Sequence, residues 1–289
     1  DGTVDRLTSA QAAQRQREGK ANTSPKAAGR STAQIVLHNL FTWFNILNLL
    51  LALAGCVQPA LAPNINAATA RVLNKLGIEL VEESKAGCCG AVRFHLNDQE
   101  AAKDDMRRNI DAWWPHIDAG VEAIIVTASG CGVQVCDYGR VLKNDAVYAE
   151  KAAKISAICR DPAEILAAER EPFLALFGQT INRGRLAFHS PCTLQHGLKI
   201  RGVIEVFLSA AGYHLTDVAE AHLCCGSAGT YSILQPVLAK QLRQNKLTAL
   251  NADLPAVIAT ANIGCLSHLQ AGSVLPVRHW IELIDEVLA

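Results

Sequence analysis

The sequence lacks the features that mark several common classes of protein. A bilayer-spanning helix needs about 20 consecutive apolar residues. The most apolar segment, which ends near Ala54, has an apolar part of only about 15 residues and contains Thr42, Asn45 and Asn48. Aromatic residues make up 5% of the chain and the formal net charge is zero, so a basic nucleic-acid surface is not expected. No Gly-rich dinucleotide motif is present either.

A secretory signal is also missing from the start of the sequence, because the first 30 residues are polar. We therefore expect a reducing, cytoplasmic compartment, in which thiols stay available for metal. The 289 residues are enough for one or two domains with a sizeable core.

Cysteine, by contrast, is abundant, and its arrangement is unusual. Two of the ten cysteines stand side by side before a glycine at Cys88-Cys89-Gly90, and the same happens at Cys224-Cys225-Gly226. Neighbouring thiolates can reach one metal centre, and glycine lets backbone amides approach the sulfurs. A strained vicinal disulfide is the other known use of adjacent cysteines.

The two Cys-Cys-Gly motifs belong to a longer repeat. In each half a lone cysteine lies 32 positions before the motif, and another closes an apolar run after it. The repeat therefore contains eight cysteines: Cys56, Cys88, Cys89, Cys131, Cys192, Cys224, Cys225 and Cys265. Four candidate ligands from three loops in each half predict a metal or iron–sulfur site. The alternative is that all eight are packing residues of a duplicated core.

The apolar pattern predicts an α/β fold. Short buried strands are expected at 49–54, 78–81, 123–126, 186–188 and 256–259, and helices at 67–76, 98–116 and 236–250. This alternation predicts two tandem copies of a parallel-sheet α/β unit, with a helical N-terminal extension. The predicted boundaries are 1–48 (extension), 49–142 (first copy), 143–183 (helical connector) and 184–289 (second copy). The repeated cysteines follow strand ends, where sites of parallel sheets lie.

Histidines distinguish the two halves. His268 stands three residues after Cys265, and a Cys-x-x-His pair on one helical turn can bind one metal. The first half has Gln134 at the matching place. Two roles are equally compatible with His189: it donates a hydrogen bond to a cysteine sulfur, or it is a core histidine bonded to backbone.

Other polar and thiol side chains are interpreted as structural. Cys159, predicted to lie in mid-helix, and Cys136 have no matching spacing and are taken as packing residues. The series Lys240, Arg243 and Lys246 is interpreted as a solvated helix face.

Longer motifs carry a family resemblance. The segments that carry it are Gly87 to Val92, Asn109 to Pro115, Thr127 to Gly132, Pro191 to His196, His222 to Tyr231, Thr260 to Cys265 and Arg278 to Glu282, together with Gly55-Cys56. They resemble the cysteine-rich region of the iron–sulfur subunits of glycolate oxidase. The duplicated domain is also similar to that of the cysteine-rich chain of heterodisulfide reductases, whose version adds a cysteine where this chain has Gln134 and His268.

Two parts of the chain depart from the glycolate oxidase pattern. The family's ferredoxin-like Cys-x-x-Cys-x-x-Cys-x-x-x-Cys-Pro runs are absent. Residues 1–54 instead resemble the leader of P-type cation-transporting ATPases, although the Asp-Lys-Thr-Gly-Thr phosphorylation motif is missing.

The resemblance implies an iron–sulfur electron-transfer subunit of a glycolate (2-hydroxy acid) oxidase complex. It implies 4Fe–4S-type clusters on the eight cysteines, FAD in flavoprotein partner subunits, electron flow toward the respiratory chain, and peripheral association with the inner face of the cell membrane. No residue is expected to be catalytic, and the chain is not expected to be active alone. Two other functions stay open: a heterodisulfide-type thiol–disulfide module, and an assembly module with zinc at one site. The metal set of the second half is predicted as Cys192, Cys224, Cys225, Cys265 and His268.

Overall fold

A computed structural model describes residues 57–178 and 181–289, which belong to one compact unit. The predictions for the extension (1–48), the strand at 49–54 and the ligand Cys56 lie outside these residues. Within the described ranges, no helix is both long and apolar enough to cross a membrane.

The first half is mainly helical. Its helices are α1 (Val57–Leu61), α2 (Asn64–Asn74), α3 (Ala91–His95), α4 (Gln99–Asp118), α5 (Ser129–Cys136), α6 (Tyr138–Val141) and α7 (Ala149–Ile158). Its strands β1 (Ile124–Ile125) and β2 (Cys159–Arg160) pair in parallel, with Ile124 opposite Cys159. Helices α8 (Pro162–Ala168) and α9 (Arg170–Ala175) lead to the second half.

Two predictions for the first half are wrong. Residues 78–81 form no strand, because glutamates interrupt the apolar run and leave the segment half exposed. Cys159 is not in mid-helix: α7 ends at Ile158, and the backbone of Cys159 is extended (φ −68°, ψ 131°). Pro162 disfavours helical backbone at Asp161, which instead caps α8. The chain between these two helices therefore extends and pairs with β1.

The second half is built on a parallel sheet. Its strands are β3 (Arg185–His189), β4 (His214–Leu215), β5 (Val257–Thr260) and β6 (Val277–His279), in the order β4-β3-β5-β6. Strand β3 is followed by a π-helical turn (Thr193–Gly197) and by α10 (Val203–Ala210). Strand β5 is preceded by α11 (Tyr231–Leu234) and α12 (Pro236–Asn251) and followed by α13 (Ile263–Gln270). Strand β6 is followed by α14 (Trp280–Leu288). The predicted α/β class is confirmed.

The largest core joins the two halves. Trp280 of α14 stacks near Phe207, which meets Phe173 edge to face at 4.8 Å between ring centroids. Helix α2 of the first half packs against α14, and Arg71 pairs with Asp285 across them at 2.6 Å. The halves therefore share this core, and each half also has a smaller buried cluster of its own.

His279 begins α14 and is completely buried. Its Nδ1 accepts a hydrogen bond from the Ile281 N–H at 3.4 Å, and the Glu282 carboxylate accepts one from the His279 N–H at 3.2 Å. Burial disfavours the imidazolium and lowers the pKa of His279 to about 3. The folded chain thus keeps a neutral histidine at a pH where an unfolded one is charged.

This histidine predicts an acid-dependent loss of stability. The unfolded chain takes up a proton near pH 6.5 and the folded chain only near pH 3, so stability is full above about pH 6.5 and falls below it. Between pH 7 and pH 5 the loss is about 2 kcal/mol. We expect His279→Asn, which can cap α14 without titrating, to lack this part of the slope in urea unfolding. An identical slope in both proteins would contradict the assignment.

Candidate metal centre

The cysteines of the second half converge at one edge of the sheet. Cys192 follows β3 and Cys265 follows β5, and these parallel strands are neighbours with His189 opposite Thr260. The Cys224-Cys225 pair lies on the loop between β4 and α11. Because carboxyl ends of parallel strands meet at the same edge, the three loops bring their thiols together. We call Cys192, Cys224, Cys225 and Cys265, with His189, the second thiol site.

Hydrogen bonds between sulfurs connect this site. Cys192 and Cys225 both donate to Cys224, and Cys225 also interacts with Cys265. The ligand atoms of His189, Cys225 and Cys265 all lie within 4.8 Å of one another, and all three residues are buried. Such a group can hold a metal ion or cluster.

Hydrogen bonds between the thiols shift their pKa values in opposite directions. Hydrogen bonds from Cys192 and Cys225 lower the pKa of Cys224 to about 2. Cys225, helped by the neighbouring His189, lowers the pKa of Cys265 to about 6. The donors Cys192 and Cys225 have their pKa values raised by the same bonds. The site therefore holds negative charge before any metal arrives, and metal ligation requires this deprotonation.

The imidazole of His189 lies beside the thiols of this site. Both ring nitrogens are buried, and the ring interacts with the Cys265 thiol. A buried polar group needs such a partner, and the ligand atoms of His189, Cys225 and Cys265 lie within 4.8 Å of one another. The matching position of the first half is Leu53, so this imidazole distinguishes the second repeat.

The first half forms a smaller version of the site within the described residues. Cys89 is buried, and hydrogen bonds from Cys131 and Cys88 hold the pKa of its thiol well below the usual range. We call these three residues the first thiol site. The backbone behind it is fixed as well, since the Tyr138 hydroxyl donates to the Cys89 carbonyl at 3.0 Å.

Glycine closes both Cys-Cys-Gly turns in the same way. Gly90 (φ +84°) and Gly226 (φ +91°) adopt left-handed backbone, and their N–H groups lie 3.5 Å from Cys88 Sγ and 3.3 Å from Cys224 Sγ. A Cβ atom on Gly226 would lie 2.5 Å from the Ala239 carbonyl oxygen of α12. The corresponding atom on Gly90 would lie 2.8 Å from that of Ala102 in α4. Each turn therefore packs directly against a helix backbone, with no room for a side chain.

A short polar bridge joins the ligand loops of the two halves. Ser129, two residues before Cys131, lies 2.8 Å from the Thr193 hydroxyl, next to Cys192. Asn262, which caps α13, donates to Ser129 Oγ at 3.2 Å. The two thiol sites are thus connected through residues adjacent to their ligands.

Four side chains have surroundings that the sequence did not indicate. His268 is not in the metal-ligating group; its Nε2 lies 3.2 Å from the Ala239 carbonyl. Lys246 is not on a solvated face but is 2% exposed, and its place on the same side of α12 as buried Ala239 was the available signal. Cys136 and Cys159 contact each other, and this hydrogen bond lowers the pKa of Cys136.

The comparisons with known proteins agree with this duplication. The cysteine-rich CCG domain matches residues 50–136 and again 186–270. The glycolate oxidase iron-sulfur subunit of Escherichia coli (strain K12) is 54% identical over 238 residues, which cover 82% of this chain and 58% of that protein. The probable glycolate oxidase iron-sulfur subunit of Bacillus subtilis (strain 168) is 28% identical over 228 residues, covering 76% and 48%.

A shorter relative matches along most of its own length. Lactate utilization protein A of Bacillus cereus (strain G9842) is 22% identical over 236 residues, covering 80% of this chain and 95% of that protein. In contrast, the chain spans only about half the length of the two glycolate oxidase relatives.

Proposed function

The chain belongs to the cysteine-rich CCG domain family, and from this membership we propose that it is the electron-transfer part of an iron–sulfur subunit. The observation that carries the proposal is the second thiol site, in which thiols from three loops, two of them buried, meet a buried imidazole at a sheet edge. The similarity to the glycolate oxidase iron-sulfur subunit of Escherichia coli supports a 2-hydroxy-acid oxidase complex as the setting.

The residues present fit an iron–sulfur group. Its irons are held mainly by thiolates, and imidazole replaces thiolate in some centres. The second site offers Cys192, Cys224, Cys225 and Cys265 as ligands, with His189 as a fifth ligand or as a donor to a sulfur. The first site offers Cys88, Cys89 and Cys131, and Cys56 is proposed as its fourth ligand. When bound, such a group supplies one-electron transfer.

The protein's own residues have three tasks in this function. Hydrogen bonds from neighbouring thiols stabilise the thiolates of Cys224 and Cys265. The surrounding core excludes water, which strengthens electrostatic interactions inside it. The bridge of Ser129, Thr193 and Asn262 keeps the two ligand loops at a fixed separation. A fixed separation suits two centres that exchange electrons.

The complex is part of the same proposal. FAD resides in flavoprotein partner subunits that oxidise glycolate or a related 2-hydroxy acid, and this chain passes the electrons toward the respiratory chain at the inner face of the cell membrane. The clusters are of the 4Fe–4S type. In this proposal the chain alone does not turn over the 2-hydroxy acid, because the flavin belongs to the partner subunits.

Metal analysis tests this proposal directly. We expect the full chain, purified without oxygen, to contain iron and acid-labile sulfide together, because thiolates gathered in one place bind such clusters. A chain with zinc and no labile sulfide would contradict it and would favour the assembly module. Chelation of the iron should also lower the thermal unfolding temperature, since bound metal stabilises the folded state.

A further inference from the structure

Helices α4 and α12 hold equivalent positions behind the two thiol sites. Each provides the backbone carbonyl against which the Cys-Cys-Gly glycine packs, from Ala102 in α4 and from Ala239 in α12. Seven residues further along, each helix carries a buried polar side chain on the same face. These are Asn109 in α4, 1% exposed, and Lys246 in α12, 2% exposed.

Both side chains fasten the segment that carries the adjacent cysteines. Asn109 Nδ2 donates to the Cys88 carbonyl at 2.8 Å, and its Oδ1 accepts from the Gly87 N–H at 2.7 Å. Lys246 Nζ donates to the Glu220 carbonyl at 2.7 Å and to the Ala221 carbonyl at 3.4 Å. Both residues therefore hold the backbone next to a Cys-Cys pair by hydrogen bonds, but Lys246 also carries a positive charge.

The Lys246 contacts also reach the loop of Cys192. Gln195 Nε2 donates to the same Ala221 carbonyl at 3.2 Å and to the Ser190 carbonyl at 2.9 Å. Lys246 is thus joined to the loops on either side of the second thiol site. It makes no ion pair with a carboxylate in the described part of the chain.

The negative charge that faces Lys246 is mainly that of the thiols. A buried ammonium without a counter-charge costs several kcal/mol, and burial lowers the pKa of Lys246. The charges of Cys225 and Cys224, then those of Glu220 and Cys265, act in the opposite direction and favour its protonated form. Lysine and thiolates therefore stabilise each other inside the same core.

The first site has no equivalent buried cation among the described residues. Arg93 and Arg108 both pair with the buried Asp105, and their side chains are about half exposed. Their two positive charges exceed the one carboxylate, but solvent screens exposed charges. The electrostatic difference between the sites is thus that the cation of the second, Lys246, is buried.

We propose that Lys246 is a positioning and charge-compensating residue that makes the second thiol site the electron-accepting end of the chain. A nearby fixed cation stabilises the reduced, more negative state of a cluster and raises its reduction potential. This rests on the proposed iron–sulfur function. Electrons then pass from the first site, where Asn109 is neutral, to the second.

Two substitutions of Lys246 separate its charge from its hydrogen bonds. Lys246→Gln keeps donors for the Glu220 and Ala221 carbonyls but removes the charge, whereas Lys246→Arg keeps both. Lys240→Gln changes an exposed lysine of the same helix and serves as the control. In a redox titration of the iron-loaded chain followed by electron paramagnetic resonance, Lys246→Gln should move one cluster signal to lower potential. Lys246→Arg and Lys240→Gln should leave both signals in place.

The metal-free full chain gives a second measurement that does not need a cluster. Loss of the charge should move the pH profile of iodoacetamide alkylation of the second-site thiols upward by about 0.7 pH unit, because the fixed cation favours the thiolate. Lys246→Arg should react within about twofold of the unchanged chain. Equal potentials and equal alkylation profiles in Lys246→Gln and Lys246→Arg would overturn the role of Lys246. A chain without iron would refute the proposed function, and the alkylation result would still decide the role of the lysine.

Discussion

Replacing Cys225 by serine is expected to abolish metal binding at the second thiol site and electron transfer together. Cys225 interacts with both Cys224 and Cys265, and it belongs to the buried group with His189. A serine hydroxyl is a poor ligand for the metals that thiolates bind, and it donates to the two remaining thiolates without replacing a ligand. Bound iron should fall by the content of one centre, and glycolate-linked dye reduction, assayed with the proposed flavoprotein partner, should fall to background.

Cys159→Ser is the matched control for this experiment. Cys159 is as deeply buried as Cys225, but its sulfur contacts Cys136 and the Gly132 carbonyl instead of the second site. We expect metal content and electron transfer to be unchanged in this variant. Full iron and unchanged dye reduction in Cys225→Ser would refute the ligand assignment. Lost iron with persisting activity would mean that the second site is structural.

Gly226→Ala should unfold the second Cys-Cys-Gly turn. Left-handed backbone costs a residue with a Cβ about 1–2 kcal/mol. The new atom would also lie 2.5 Å from the Ala239 carbonyl oxygen and 3.0 Å from Leu242 Cβ, and overpacking of this kind costs about 1–3 kcal/mol more. Urea unfolding should therefore show a loss of about 2–5 kcal/mol. The iron content should fall as well, because the turn positions Cys224 and Cys225.

Gly202→Ala isolates the backbone contribution. Gly202 has a similar φ of +74°, but no atom lies within 4 Å of the Cβ it would gain. Its alanine variant should lose only the about 1–2 kcal/mol of the left-handed conformation and keep its iron. Equal losses at Gly202 and Gly226 would show that the contact with α12 is unimportant.

The convergence of the second-half cysteines could be predicted because it depends on local pattern and one topological rule. The runs before Cys192 and Cys265 are short and apolar, and the carboxyl ends of parallel strands meet. Pro236 was correctly predicted to begin a helix, since proline suits the first helical turn. These features need no knowledge of distant contacts.

The histidines could not be separated in this way. The spacing Cys265-x-x-His268 puts both residues on one helix, and the sequence therefore favoured His268 as a ligand. Where that side chain goes depends on α12, whose Ala239 carbonyl lies 3.2 Å from His268 Nε2. His189 is oriented instead by the sheet, at the end of β3. The ligand role of His268 remains a prediction, and the geometry supports His189 more strongly.

Lys246 and Cys159 were missed for a different reason. A charged side chain on a helix is usually exposed to solvent. Lys246 can be buried because loop carbonyls accept its hydrogen bonds. For Cys159, the apolar periodicity of α7 continues past Ile158, and only the parallel pairing with Ile124 reveals a strand. Both outcomes are set by tertiary partners, which local propensity does not contain.

The packing of α2 against α14 fixes an order of events during synthesis. On the ribosome α2 emerges about 200 residues before α14, and until then the apolar face around Ile65 and Leu73 has nothing to cover it. The Arg71–Asp285 pair also cannot form before that point. The face of α2 is therefore covered late, whereas the cluster around Cys89, Met106 and Tyr138 consists of first-half residues alone.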